Sequence, residues 1–233
     1  MYNQFTATKD FSELRQKVLF AAAKLFLEKG YSNSSTREIA GKAGVNVSAM
    51  NRVFGAKEGI LAVLVKYVLE GQFDATKKKL AGMTDDPILF YAAETTLQLY
   101  MAESHEHIRN IYMAAYSLPE TSAVIQENIT GKLEGIFKKH LPDLKTTDFY
   151  KLEIASGGIM RGFLTIPCDM WFTMDQKVES FLEATFKIYD VPKEKIAEAV
   201  SFVSKIDYKT FAQDTIDSML KYLEEHAPET SES

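Results

Sequence analysis

The sequence predicts an all-helical protein, and three observations carry that prediction. Its 233 residues include only six prolines and twelve glycines, and no proline precedes Pro87, so the first third can be helical throughout. The prolines at 87, 119, 142, 167, 192 and 228 fall at intervals that fit one helix plus its connection. Capping signals and glycines punctuate stretches whose apolar residues recur at helical spacing.

The first helix spans 10–30. Asp10 and Glu13 have capping-box spacing, Leu14, Val18, Ala21, Leu25 and Phe26 form one stripe, and Gly30 stops it. Ser35 and Glu38 form a second box, opening a short helix with Ile39, Ala40 and Ala43 inside and Gly44 after it. Asn46 caps a third helix running to Phe54. Two short helices joined at Gly44 and Val45, preceded by a longer one, have the outline of a helix-turn-helix domain.

A fourth helix starts at Lys57 and continues through Ile60, Leu61, Leu64 and Val68 towards Leu80, long enough to link two domains. Asp86 and Pro87 start a fifth, running to Ser104. Further helices are expected over 106–117, 121–140 and 147–166, the last ended by Pro167. Thr173 and Gln176 introduce a ninth, Pro192 a tenth, and 208–225 reads as an eleventh. The ends, 1–8 and 226–233, read as disordered. The expected domains are 10–56 and 57–225, followed by the tail 226–233.

Composition narrows the function classes. With 46% hydrophobic and 25% charged residues, the chain falls among soluble globular proteins. Its single cysteine, Cys168, permits no internal disulfide and no cysteine-cluster metal site. The start lacks a basic region leading into an apolar core, and nowhere do 18 apolar residues run uninterrupted, so neither export signal nor membrane span is expected and a cytoplasmic location is. The formal net charge of −5 argues against a nucleic-acid partner when taken alone. By position it does not: residues 1–60 hold nine basic and five acidic residues, and the remainder is strongly acidic.

The third helix, VSAMNRVF, carries the chemistry. On a helical wheel Met50, Val47, Val53 and Phe54 share the apolar side, while Ser48 and Arg52 sit opposite, flanked by Ala49 and Asn51. Small residues allow close approach to a major groove, Arg can pair with guanine O6 and N7, and Asn with adenine N6 and N7. Thr36, Arg37 and Lys57 stand at helix starts, where free N–H groups favour phosphate. The competing reading makes each of them an ordinary cap or solvated surface charge.

Residues 18–65 resemble the DNA-binding domain of the TetR family of bacterial transcriptional regulators. The resemblance rests on an ordered set: Gly30 and Tyr31 after the first helix, Thr36 with Ile39 and Ala40, the run Ala43, Gly44 and Val45, then Phe54, Lys57, Glu58 and Leu61. It implies a homodimeric repressor that binds a pseudo-palindromic double-stranded operator and is released by a small, largely apolar effector held in the C-terminal domain. Carried over by position, Thr36 and Arg37 contact DNA from the second helix, Val47, Ser48, Ala49, Asn51 and Arg52 from the recognition helix, and Lys57 holds a phosphate. Asn51 departs from the usual tyrosine and Arg52 from the usual aromatic or histidine, and Arg52 is expected to compensate for the shorter Asn51.

Beyond residue 57 the many aromatics and methionines read first as core. The resemblance implies an apolar pocket between helices four to eight. The candidates for its wall are Tyr100, His105, Tyr112, Met113, Tyr116, Phe137, Met160, Arg161 and Phe163. Arg161 either anchors an acidic ligand group or pairs with a carboxylate across a dimer interface expected at residues 147–190. In the cluster Glu103, His105, Glu106 and His107 the two histidines cannot chelate one ion from a regular helix, whereas Glu103 and His107, at i and i+4, could. A solvated helix end or a ligand-pocket histidine is the favoured account, so no metal or cofactor is expected. No motif of an enzyme is present, with no HExxH, GxSxG, Walker loop or GxGxxG after a strand. The rival reading is a helical small-molecule or lipid-binding protein, or an enzyme using a C-terminal cavity, with the basic head binding another partner.

Overall fold

The computed structural model describes residues 3–226, with side chains from residue 12 onward. Over these residues the chain forms eleven helices: α1 (Asn3–Lys29), α2 (Thr36–Ala43), α3 (Val47–Phe54), α4 (Lys57–Leu80), α5 (Pro87–Ser104), α6 (Glu106–Ala115), α7 (Pro119–Phe137), α8 (Thr146–Thr165), α9 (Met174–Ile188), α10 (Lys193–Val203) and α11 (Tyr208–Glu225). No strand occurs among the described residues.

The punctuation read in the sequence has a physical counterpart at most boundaries. Ser35 Oγ accepts the Glu38 amide while the Glu38 carboxylate accepts the Ser35 amide at 2.8 Å, closing the box that starts α2. Asp86 Oδ1 accepts the Ile88 amide at 2.8 Å ahead of Pro87, and Gln176 Oε1 accepts the Thr173 amide at 2.9 Å to start α9. Gly44 closes α2 in the left-handed region at φ 65°, a conformation that costs any residue with a Cβ.

One end differs from expectation. α1 begins at Asn3, so residues 3–8 are helical and Asp10 does not start the helix. The physical reason is that residues 3–9 contain neither proline nor glycine to stop propagation towards the N-terminus. Of the expected tail, His226 closes α11 and residues 227–233 lie outside the described residues.

Two apolar cores form. The smaller gathers Val18, Ala22 and Phe26 of α1, Ile39 and Ala43 of α2, Met50 and Phe54 of α3, and Ile60 to Leu69 of α4, with Ala115 and Ile125. The larger fills α5 to α11, where the Phe137 and Tyr189 rings stack at 3.9 Å with Tyr91 and Phe186 packed around them. α4 feeds both, since its first half packs into the smaller core while Leu80 and the flank at Val68 and Ala75 join the larger. Any tilt of α4 is therefore felt by both.

Candidate nucleic-acid interface and adjoining cavity

α3 is only eight residues long, too short to be stable by itself. It is held by Met50 (0% exposed) and Phe54, both buried against α1, α2 and α4, and the Arg15 guanidinium covers the Phe54 ring at 5.7 Å. The turn before it is fixed by the Val45 amide donating to the Ala40 carbonyl at 3.0 Å and by Asn46 Oδ1 accepting the Ser48 amide at 2.8 Å. Gly59 secures the turn after it, because a Cβ there would lie 2.0 Å from the Phe54 carbonyl oxygen.

With its apolar side anchored, α3 presents Ser48, Asn51 and Arg52 to solvent, with Val47 and Ala49 half-buried beside them. At the start of α2, Arg37 is exposed and Thr36 half-buried. Two neighbouring cations of the head are paired, Lys29 with Glu38 and Lys42 with Glu28. The bond from Lys29, with those from Ser35, holds the Glu38 carboxyl down at about 2. Arg37 and Arg52 make neither ion pair nor side-chain hydrogen bond among the described residues, so this face offers two unpaired guanidinium groups.

Lys57 has a different place from the one its position in the sequence suggests. Its ammonium donates to the Tyr31 carbonyl at 2.8 Å and the Ser34 carbonyl at 2.9 Å, and it lies over the Tyr31 ring at 4.1 Å. Burial lowers its pKa from the usual lysine value. Two of its three donors are thus committed to the loop between α1 and α2, and its charge is engaged inside the head.

Two further contacts tie the head to the body. Glu58, in the first turn of α4, accepts the Glu120 amide at the start of α7 at 2.8 Å. His107 Nδ1 lies 2.8 Å from the Leu27 carbonyl near the end of α1. Between these ties lies a cavity of ≈ 120 Å³ bounded by α1, α4, α5, α6, α7 and α11.

The segment that forms this head, residues 18–64, matches the family model described as bacterial regulatory proteins, tetR family. That segment is a TetR-family domain. The probable HTH-type transcriptional regulator YttP of Bacillus subtilis (strain 168) is 26% identical over 156 residues, covering 66% of this chain and 69% of that one. The HTH-type transcriptional regulator HbdR of Aromatoleum sp. (strain CIB) is 33% identical over 79 residues, 34% of either chain. The fold is shared with the crystal structure of RolR in complex with resorcinol, at a TM-score of 0.66 and 16% identity over 85% of this chain and 97% of that one.

Of the residues read from the sequence as a pocket wall, some share a cavity and others are dispersed. Tyr112 and Tyr116 line the cavity against α1 and α4. Tyr100 stacks on Tyr208 at 5.3 Å, and Phe137 on Tyr189, both filling core. Phe163 packs edge-on against Phe181, Met113 joins the core flank, and Met160 lies at a small space between α5 and α8. Arg161 is exposed on α8. His105 is exposed and caps α6, accepting the His107 amide at 3.1 Å. The cavity is walled by α4, α5, α6 and α7 together with α1 and α11, and a smaller space of ≈ 40 Å³ lies between α4, α5, α7 and α8.

The Glu103 and His107 pair is likewise divided. Glu103 accepts from the buried Lys177 at 2.8 Å and the Cys168 amide at 3.1 Å, while His107 turns to α1. Sequence reasoning missed Gln72, Tyr67 and the α11 residues of the cavity wall. Gln72 is a fully buried amide in the middle of α4, and a glutamine at a core position of an otherwise apolar stripe is the one signal that marked it.

Proposed function

We propose that the chain is a homodimeric transcriptional repressor that binds a pseudo-palindromic operator through α3 and is released when a small, largely apolar ligand enters the body. The observation that carries this reading is the short helix pinned by Met50 and Phe54, with Ser48, Asn51 and Arg52 displayed together on the opposite face. Arg52 and Asn51 read base edges, Val47, Ser48 and Ala49 form the close-approach surface, and Thr36 and Arg37 fix the register on phosphates from the start of α2. Lys57 acts by holding the α1–α2 loop.

The proposed division sets a head over 10–56 and a body over 57–225, and the smaller apolar core reaches across that boundary into Ile60 to Leu69 of α4, Ala115 and Ile125. Dimerisation is assigned to residues 147–190. Support comes from exposed Tyr150, Ile154 and Ile166 on and after α8 and from Met170 and Trp171, which are 79% and 81% exposed, a concentration of apolar surface that a partner copy would cover. No described helix is long and apolar enough to cross a membrane, and a cytoplasmic, non-enzymatic role accompanies the regulator reading. Ligand and DNA then compete through the tilt of α4 and the ties at Glu58 and His107.

The test is selection of bound sequences from random duplex DNA, followed by titration of the winning site at several salt concentrations. A two-fold-symmetric consensus, and an affinity falling steeply with salt at a slope of about −0.9 per neutralised phosphate, are expected. Recovery of no consensus refutes the operator reading.

A further inference from the structure

The cavity between head and body has one chemical irregularity. Its wall holds no charged side chain and is almost entirely apolar, built from residues such as Phe26, Leu64, Ile111 and Met219. Gln72 stands in it, 0% exposed. Its Nε2 donates to Tyr112 Oη at 2.5 Å and lies 3.4 Å from Met101 Sδ, while its Oε1 has no hydrogen-bond partner. Turning the amide over does not cure this: Oε1 would then take the Tyr112 hydroxyl and the NH2 would face the apolar wall. In either orientation one end of a fully buried amide lacks a partner, at a cost ordinary cores avoid.

The other polar side chains of the wall each make a hydrogen bond. Tyr67 donates to the Met219 carbonyl at 3.0 Å, and Gln98 donates to Tyr116 Oη at 2.8 Å. Among the described residues Gln72 Oε1 is the one fully buried side-chain polar atom of this wall without a partner, and in such apolar surroundings a water with its need for two to four partners is poorly held. Its volume of ≈ 120 Å³ is close to the ~150 Å³ of an apolar cavity that takes up benzene. An ion is excluded, because nothing in the wall would neutralise it.

We propose that this cavity is the effector site and that its ligand is a neutral, apolar molecule of about phenol size carrying one hydroxyl, which bonds the free end of the Gln72 amide. A hydroxyl both donates and accepts, so it satisfies the amide in either orientation. The proposal rests on the ligand-release reading above and gives it a place: the occupant touches Phe26 and Leu27 of α1 and Leu61 to Gln72 of α4, so it presses on the two helices that carry the head. Leu27 is also the residue whose carbonyl His107 engages.

Phenol and toluene have the same number of heavy atoms and differ only by hydroxyl against methyl, so they isolate the claim. Titration calorimetry of the full chain with each should show phenol binding about five- to tenfold more tightly, the contribution of one hydrogen bond to a buried group. In Gln72→Met, which keeps the volume and removes the amide, that preference should vanish or reverse. Leu64→Phe, which fills the cavity, should abolish both. Equal affinity of the wild-type chain for the two compounds overturns the hydroxyl assignment and needs no variant to be read. Phenol binding that survives Leu64→Phe overturns the location. DNA binding of the ligand-free chain is measured alongside: if no duplex is bound, the regulator reading falls while the calorimetry stands, and if phenol binds without weakening the DNA complex, the effector assignment falls while the site remains.

Discussion

Replacing Lys57 by methionine keeps the aliphatic stem but removes an ammonium that bonds two carbonyls and caps a ring. The bonds to Tyr31 O and Ser34 O, at 2.8 and 2.9 Å, are charge-assisted, and each such bond contributes about 1.5–3 kcal/mol. The site is only half-buried, so water can partly replace the lost donors, and the lower end of that range applies. The contact with the Tyr31 ring at 4.1 Å adds about 0.5 kcal/mol. A total loss of about 3.5 kcal/mol is expected in urea denaturation of the variant. The salt slope of operator binding should stay unchanged, because this charge is spent inside the head. A lysine that held a phosphate would behave oppositely: stability would be untouched, and the slope would fall by about 0.9 per protomer, about 1.8 for the dimer. That second pattern would refute the assignment of Lys57 to the α1–α2 loop.

Arg52→Ala should leave the denaturation midpoint nearly unchanged, since the side chain is exposed, and should cost about 1–3 kcal/mol of discrimination at one base pair per half-site; competition with single-base operator variants checks it. Glu94 and Glu153 are both buried in the body, and burial raises their pKa values to about 7 and about 8. The folded state thus holds these protons more tightly than the unfolded chain, so their contribution to stability is complete below about 4.5 and is lost as pH rises through 7 to 8. Glu94→Gln with Glu153→Gln should therefore stabilise the chain more at pH 8 than at pH 5, and equal effects at both would argue against neutral buried carboxyls. Gly44→Ala forces a Cβ into φ 65° and should cost about 1–2 kcal/mol, read by thermal denaturation together with weaker operator binding from a misplaced α3.

Most of the helical framework was legible because its signals are local. Ser35 with Glu38, Asn46, Asp86 with Pro87 and Thr173 with Gln176 each satisfy backbone groups within three residues, so sequence spacing alone places the helix start. The exposed face of α3 was legible for the same reason: eight residues leave one way to bury Met50 and Phe54, and that choice turns Ser48, Asn51 and Arg52 outward. The start of α1 was misread because Asp10 and Glu13 have cap spacing, yet nothing before them stops the helix. The carbonyl bonds of Lys57 were not legible, because a helix start looks alike whether its lysine faces solvent or two carbonyls 23 and 26 residues earlier in the chain.

The sequence by itself thus determined the helices, the helix-turn-helix and the polar residues that its recognition helix displays, all products of hydrogen bonding and periodicity over a few residues. Tertiary structure alone decided where the open volume lies. Tyr91, Phe137, Phe186 and Tyr189 pair across helices and fill the body, while α1, α4 and α11 meet around Gln72 without closing. Whether an aromatic side chain fills a core or walls a cavity depends on what faces it from distant parts of the chain, and no local pattern records that.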